Sequence, residues 1–318
     1  MSLPVTLDLV RQARERIAAQ LPPTPLLTAQ TLSHKLGVPV RYKAESLQPT
    51  GAFKVRPAYN SIAANLEQAR SRGVVTSSSG NFAQAVAWAA STLGVDATVV
   101  MMESASEYKR KRTEALGARV VTCANNFAAR WETTFRIERE EGRLLLHPYD
   151  AVETIAGDGV IGLELIEQTA EPFCVITPIS GGGLISGIAT AVKALRPECR
   201  VIGVQPEANP SMQRSLAAGE RVEVEPGASM ADALVIAKPG ERTFAIASEL
   251  VDEVVLVSEQ ELATAVRFLA TEEKLVVEAG GAAGVAALMA GKVATGGLPP
   301  VVVLSGGNIL PSKLAELL

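Results

Sequence analysis

The run Cys174-Val175-Ile176-Thr177-Pro178-Ile179 is apolar and largely β-branched, it stops at Ser180-Gly181-Gly182-Gly183, and a helical pattern takes over from Leu184 to Leu195. A short apolar run closed by a glycine turn and followed by a helix is the repeating unit of a parallel sheet. Consecutive glycines let backbone N–H groups turn toward an anion, and the helix N-terminus adds its dipole, so this loop can cradle a phosphate. A tight turn with no ligand has the same residues. The dinucleotide fingerprint G-x-G-x-x-G fails, because Ser186 occupies its last glycine position.

Outward from this unit the same alternation covers most of the chain. Apolar runs lie at Val38 to Lys43, Gly73 to Thr76, Ala97 to Met102, Arg119 to Thr122, Arg200 to Val204, Val251 to Val257 and Val301 to Leu304. Amphipathic stretches such as Ala58 to Arg72, Gln84 to Leu93 and Glu261 to Leu269 lie between them, which predicts an α/β fold. Ser258-Glu259-Gln260-Glu261 reads as a capping box, Gly94 and Gly117 as the glycines that close helices, and Pro57 as a first-turn proline. The rhythm alone groups the four strands between Val38 and Thr122 into one unit and those after Cys174 into another.

Composition narrows the partners. The 318 residues suffice for two domains, 47 % of them are hydrophobic, and 30 Lys+Arg against 34 Asp+Glu leave a net charge of −4. Nothing in that balance suits a nucleic acid, so a small molecule is the expected partner. Cys123, Cys174 and Cys199 show no C-x-x-C spacing, as expected for reduced thiols in the cytoplasm. Met1 to Arg16 is charged and lacks a signal-peptide core, and Ala279 to Ala290 is too short and glycine-rich to span a bilayer. His34 and His147 stand in neither an H-E-x-x-H nor a nucleophile-base context, so zinc hydrolysis and a Ser-His-Asp triad lack their parts.

Three further clusters complete the pattern. Lys54 sits in Thr50-Gly51-Ala52-Phe53-Lys54-Val55-Arg56, a turn entering a helix, where it is either a desolvated, nucleophilic amine or an ordinary solvated charge. Ser77-Ser78-Ser79-Gly80-Asn81 follows the strand at Val74 to Thr76 and suits a carboxylate, although simple helix capping has the same residues. Ser305-Gly306-Gly307-Asn308 follows Val301 to Leu304, and the Ser305 hydroxyl can donate to an aromatic nitrogen or merely serve its turn. Ligands of open α/β sheets bind beyond the carboxyl ends of strands, so the three strand-following loops converge on one crevice.

Taken together, the four clusters resemble the fold-type II pyridoxal-phosphate enzymes, most closely their threonine/serine dehydratase and serine racemase branch. Ala52-Phe53-Lys54-Val55-Arg56-Pro57-Ala58 is similar to the family's Ser-Phe-Lys-x-Arg-Gly-Ala, and Lys43-Ala44-Glu45-Ser46-Leu47-Gln48 to the segment that leads into it. Ser78-Ser79-Gly80-Asn81 resembles the substrate-carboxylate loop, and Ser180-Gly181-Gly182-Gly183-Leu184 the tetraglycine phosphate loop with its first glycine replaced. Ser305-Gly306-Gly307-Asn308 is similar to the motif whose serine faces the pyridine nitrogen, and His147-Pro148-Tyr149-Asp150 to a dehydratase segment. The chain departs from the family at Ala52, Pro57, Phe82 and Ala233, and it has Gln205 and Ser211 where acidic cation ligands are usual, so no metal is expected.

The resemblance implies two open, mainly parallel sheets flanked by helices, as in tryptophan synthase β. Residues 1–70 and 148–318 would form a large cofactor-binding domain and 71–147 a small one. Pyridoxal 5′-phosphate would be carried by Lys54, packed by Phe53, and contacted by Asn81, Gly181, Gly182, Gly183, Leu184 and Ser305. Ser78, Ser79, Gly80 and Asn81 would bind the substrate. Lys54 and Ser79 would be the catalytic pair of an ammonia-lyase that converts a β-hydroxy amino acid such as L-threonine or L-serine to a 2-oxo acid. The alternatives are an amino acid racemase, in which Ser79 serves the second face, and a non-catalytic small-molecule sensor on the same scaffold. A homodimer is the family's usual assembly, and the chain's end at Leu318 implies no regulatory domain after the Ser305 motif.

Overall fold

The computed structural model describes residues 3–318 and contains two sheets with helices on their faces. The larger sheet runs Leu26–Thr28, Arg41–Lys43, Pro300–Val303, Cys174–Pro178, Arg200–Pro206, Glu253–Val257. Its one antiparallel pairing joins the first two strands. The smaller sheet, Arg119–Cys123, Ala97–Met102, Val74–Ser77, Leu144–Leu146, is parallel throughout. The inner strands Cys174–Pro178 and Val74–Ser77 are buried along their whole length, as parallel strands covered on both faces must be.

The strand rhythm misgroups one element. Arg41–Lys43 pairs with Pro300–Val303, in the larger sheet, and not with the strands that follow it in sequence. The expected helix Ala58 to Arg72 is two helices, Val55–Ala63 and Leu66–Arg72, broken where the Asn65 side chain donates to Ser61 O. The expected strand from Val251 starts at Glu253, because Val251 N–H still closes the helix Glu241–Leu250 on Ala247 O. The capping box at Ser258 is formed in full, and Gly94 takes the left-handed conformation at its helix end.

Behind the sheet, the helix Val152–Gln168 packs against Gly183–Leu195 at glycine contacts. A Cβ on Gly187 would stand 2.5 Å from Gly159 N, and one on Gly162 2.9 Å from Ile188 O. These glycines weaken the helix by about 1 kcal/mol each relative to alanine. The close approach they allow helps bury Ile155, Ile161 and Leu165, each of which stabilises by roughly 1.5–3 kcal/mol. Ala279–Met289 is likewise a buried helix, whose Gly281 lies against Gly306 O. Among the described residues no helix is long and apolar enough to cross a membrane.

Candidate active site

Lys54 caps the helix Val55–Ala63, and its turn is joined to the Ser305 loop by backbone bonds. Phe53 N donates to Ser305 O at 3.0 Å, Gly307 N donates to Gly51 O at 2.8 Å, and Ala52 bridges Gly306. Gly51 has φ +73°, and a Cβ there would stand 2.7 Å from Asn308 Oδ1, so this tight turn requires glycine. One residue into the helix, Arg56 forks onto two buried carboxylates: Nε and Nη2 meet Glu45 at 2.8 and 2.9 Å, and Nη1 and Nη2 meet Glu164 at 2.6 and 2.9 Å. Lys43 also binds Glu164, so two cations balance two anions beneath the site. Burial pushes the Glu45 carboxyl up, but Arg56 outweighs it and holds the group below its ordinary range.

The half-buried Lys54 side chain reaches into a cavity of about 250 Å³ between the two sheets. Its Nζ donates to Pro148 O at 2.6 Å and lies 4.8 Å from the Phe53 ring centre and 5.5 Å from that of Phe82. Burial lowers the pKa of this amine and Asp158 opposes the shift, which leaves Lys54 more readily neutral and nucleophilic than a solvated lysine. Phe82, a departure from the resembled motif, thus supplies one of the two rings beside the amine.

The glycine loop has the form of an anion cradle. Among the described residues no acceptor takes the N–H groups of Gly181, Gly182 or Gly183. A side chain on Gly181 would collide with the Tyr149 ring, Gly182 has φ +100°, and a Cβ on Gly183 would stand 2.8 Å from Asp158 Oδ2. The loop is fixed from outside. Thr243 Oγ1 donates to Gly181 O at 2.6 Å, and the Asp150 carboxylate accepts from the N–H groups of Glu241, Arg242 and Thr243, capping their helix. Free N–H groups at a helix start, with no room for side chains, fit the phosphate of pyridoxal phosphate.

Phe53, Lys54, Ser78, Ser79, Gly80, Asn81, Gly181, Gly182, Gly183, Leu184 and Ser305 all line this one cavity. Asn81 is held at both ends: Nδ2 donates to Glu278 Oε1 at 2.6 Å, and Oδ1 accepts from Asn308 at 2.9 Å. Ser79 Oγ accepts from Met102 N–H at 3.3 Å and from Arg130 at 3.5 Å.

Sequence reasoning missed Glu278, Arg130, Lys109 and Asp232, which also line the cavity. Burial and the Asp232 charge push Glu278 up to about 7. Arg130 stacks over Phe127 at 4.9 Å, and its Nε has no hydrogen-bond partner among the described residues. A glutamate ending the apolar run Leu275-Val276-Val277 was the one local signal for the first of these. His147 is pushed down to about 4 by burial, so its ring is neutral and serves as an acceptor for Asp150 N–H at 2.9 Å. Gln205 Oε1 accepts from Met212 N and Gln213 N, each at 3.0 Å, and Nε2 donates to Ser211 Oγ at 3.4 Å, so its amide caps a helix. Among the described residues no group of three His, Cys, Asp or Glu could hold a metal ion.

The family model for pyridoxal-phosphate dependent enzymes matches residues 17–306. L-threonine ammonia-lyase of Thermotoga maritima is 42 % identical over 305 residues, which span 96 % of this chain and 76 % of that protein. Among solved structures, a threonine deaminase from T.th. has a TM-score of 0.90 at 41 % identity, covering 96 % of this chain and 99 % of that one. Maize serine racemase has a TM-score of 0.94 at 34 % identity, covering 98 % of this chain and 96 % of that one.

Proposed function

Because this chain belongs to the pyridoxal-phosphate dependent enzymes, we propose that it is a lyase that removes the β-hydroxyl and amino groups of L-threonine or L-serine, giving a 2-oxo acid and ammonia. The observation that carries this reading is a single cavity in which a half-buried lysine amine faces a glycine cradle with free N–H groups and a serine-rich loop. The relatives named for threonine ammonia-lyase and threonine deaminase support the same reaction.

When bound, pyridoxal phosphate supplies an aldehyde that joins an amine and a ring that withdraws electrons from the α-carbon. Lys54 would provide the amine that holds the cofactor, and its Nζ is the base that would take the α-proton. Gly181, Gly182, Gly183 and Leu184 would hold the phosphate through backbone N–H groups, while Phe53 flanks Lys54. The Ser305 hydroxyl, a neutral donor lining the cavity, would face the ring nitrogen without adding charge, which would moderate electron withdrawal and favour loss of the β-hydroxyl. Ser78, Ser79, Gly80 and Asn81 take the substrate carboxylate. Arg130, facing the same space without a carboxylate partner, is the group that would favour an acidic β-substituent.

Racemisation is the second reading, and the Ser79 hydroxyl in the cavity is what favours it, since it needs a proton donor on each face. Ammonia and 2-oxo acid release from serine, threonine and an acidic β-hydroxy amino acid, with chiral chromatography of the same reactions, tests both. Ser79→Ala should keep its elimination rate within about an order of magnitude, because Ser78, Asn81 and the backbone still bind the carboxylate and one hydrogen bond is worth about 1 kcal/mol. Any D-amino acid formation should disappear. If D-product from an L-substrate outpaces 2-oxo acid in the wild type, the racemase reading takes over.

Activity should change less than about twofold on treatment with EDTA, since hard cations need charged oxygen ligands and the Gln205 amide is committed to its helix. Strong loss with EDTA, restored by magnesium, would contradict this. The domain division at 71–147 belongs to the same proposal and is supported by the strands of the smaller sheet, which fall between Val74 and Leu146. So do a cytoplasmic location, supported by three free cysteines, and a homodimer, supported by the exposed apolar Leu47 and Val276.

A further inference from the structure

Asp158 is a fully buried carboxyl with no hydrogen-bond partner on either oxygen among the described residues, set directly behind the glycine cradle. It lies on the helix Val152–Gln168, and a Cβ on Gly183 would stand 2.8 Å from its Oδ2. An unpaired buried carboxylate is unfavourable, and one on the far side of a single glycine from a phosphate is more so. We infer that the cradle takes up an anion together with a proton, and that the Asp158 carboxyl behind Gly183 is the group that receives it.

The surroundings leave no other neutralising group. Lys54 and Arg56 are the cations whose charge bears on Asp158, and Glu45 is the anion that does so. Arg56 is already divided between Glu45 and Glu164. The segment at Tyr149 brings a phenol that burial pushes up to about 12, the His147 ring that burial pushes down to about 4, and the Asp150 carboxylate, already held by three helix N–H groups. On the packed helix Gly183–Leu195 the one ionisable side chain, Lys193, binds Asp252. On the packed helix Leu7–Ile17, Arg14 binds Glu167, Arg11 binds Asp8, Arg16 donates to Asn60 and Gln12, and Glu15 is exposed. That leaves Lys54, whose amine is committed to Pro148 O and whose charged form burial disfavours. Burial pushes the Asp158 carboxyl up to about 7 against the pull of Lys54, so the proton is available near neutral pH. An added anion raises that value further. Binding is therefore tightest below about pH 7 and weakens as the pH rises through the anion-bound value.

This inference rests on the cradle reading, and sulfate separates the two, because sulfate keeps its charge throughout this range. Calorimetry on the cofactor-stripped full chain, in two buffers of different ionisation enthalpy, should show sulfate affinity falling about tenfold from pH 6 to pH 9, with uptake of about half a proton near pH 8. In Asp158→Asn the pH dependence should flatten and sulfate should bind more tightly than in the wild type at pH 9. The wild-type holoenzyme should release pyridoxal phosphate several-fold faster at pH 9 than at pH 7, and the variant should not. Asp158→Ser carries the same readouts should the asparagine variant fail to fold. An unchanged slope in the neutral variants would assign the proton to Lys54 and overturn the inference. Sulfate that binds without proton uptake would also overturn it while leaving the cradle standing. No sulfate binding at all would remove both.

Discussion

Lys54→Ala should lower turnover by about three orders of magnitude or more while the protein stays folded, because the amine that carries the cofactor and takes the α-proton is removed. The fold should tolerate the change. The Lys54 side chain makes one hydrogen bond, to Pro148 O, and losing a single such bond costs about 1 kcal/mol. Its helix is held instead by Arg56 and by the Phe53 and Gly307 backbone bonds, which the substitution leaves in place. Wild-type protein should be yellow, lose that absorbance with hydroxylamine, and give a pyridoxyl adduct on Lys54 after borohydride reduction. A colourless protein that takes up no pyridoxal phosphate, or a Lys54→Ala variant that still turns over, would sink the assignment of this lysine.

The parts of the site that sequence reveals are those in which one local stretch contains both the structural cause and the chemistry. Val74 to Asn81, Cys174 to Gly183 and Val301 to Asn308 each carry a strand, a turn and the polar groups at the strand's end, and all three loops open on the same cavity. Glu278 and Asp158 are different. Glu278 acquires meaning only through Asn81, 197 residues away, and Asp158 only through the Gly183 backbone it backs. The misplaced strand Arg41–Lys43 fails for the same reason, since its partner Pro300–Val303 lies near the other end of the chain. Leu26–Thr28 and Leu144–Leu146, three residues each, are too short to show a period.

Departures from the resembled motifs become interpretable once their contacts are known. Ala52 sits at the bridge to Gly306, and its own Cβ stands 3.2 Å from where a Gly306 side chain would begin. Pro57 meets Gly157, whose own Cβ would stand 2.7 Å from the Pro57 Cα, so the lysine helix and Val152–Gln168 touch backbone to backbone. That contact brings Glu164, about two turns further along, under Arg56.

Arg56→Leu should therefore be the most destabilising single change near the site. It leaves Glu45 fully buried and Glu164 nearly so, with Lys43 as their remaining cation, and removing one partner of a buried pair costs about 3–5 kcal/mol. Urea denaturation should show a fall of this size near neutral pH. The pH dependence supplies the sign. The folded Glu45 carboxyl is held below its ordinary pKa, so in the wild type its contribution is present above the unfolded value and is lost as the pH falls through the folded one. Without Arg56, burial outweighs the weaker pull of Lys43 and the Thr24 hydroxyl on Glu45 and raises its pKa, so protonation relieves the variant as the pH falls. The stability gap between the two proteins should narrow toward about pH 4 and be widest near neutrality. A gap that is constant across that range would mean that lost packing, rather than uncompensated charge, accounts for the destabilisation, and the ion network would not be what anchors the lysine helix.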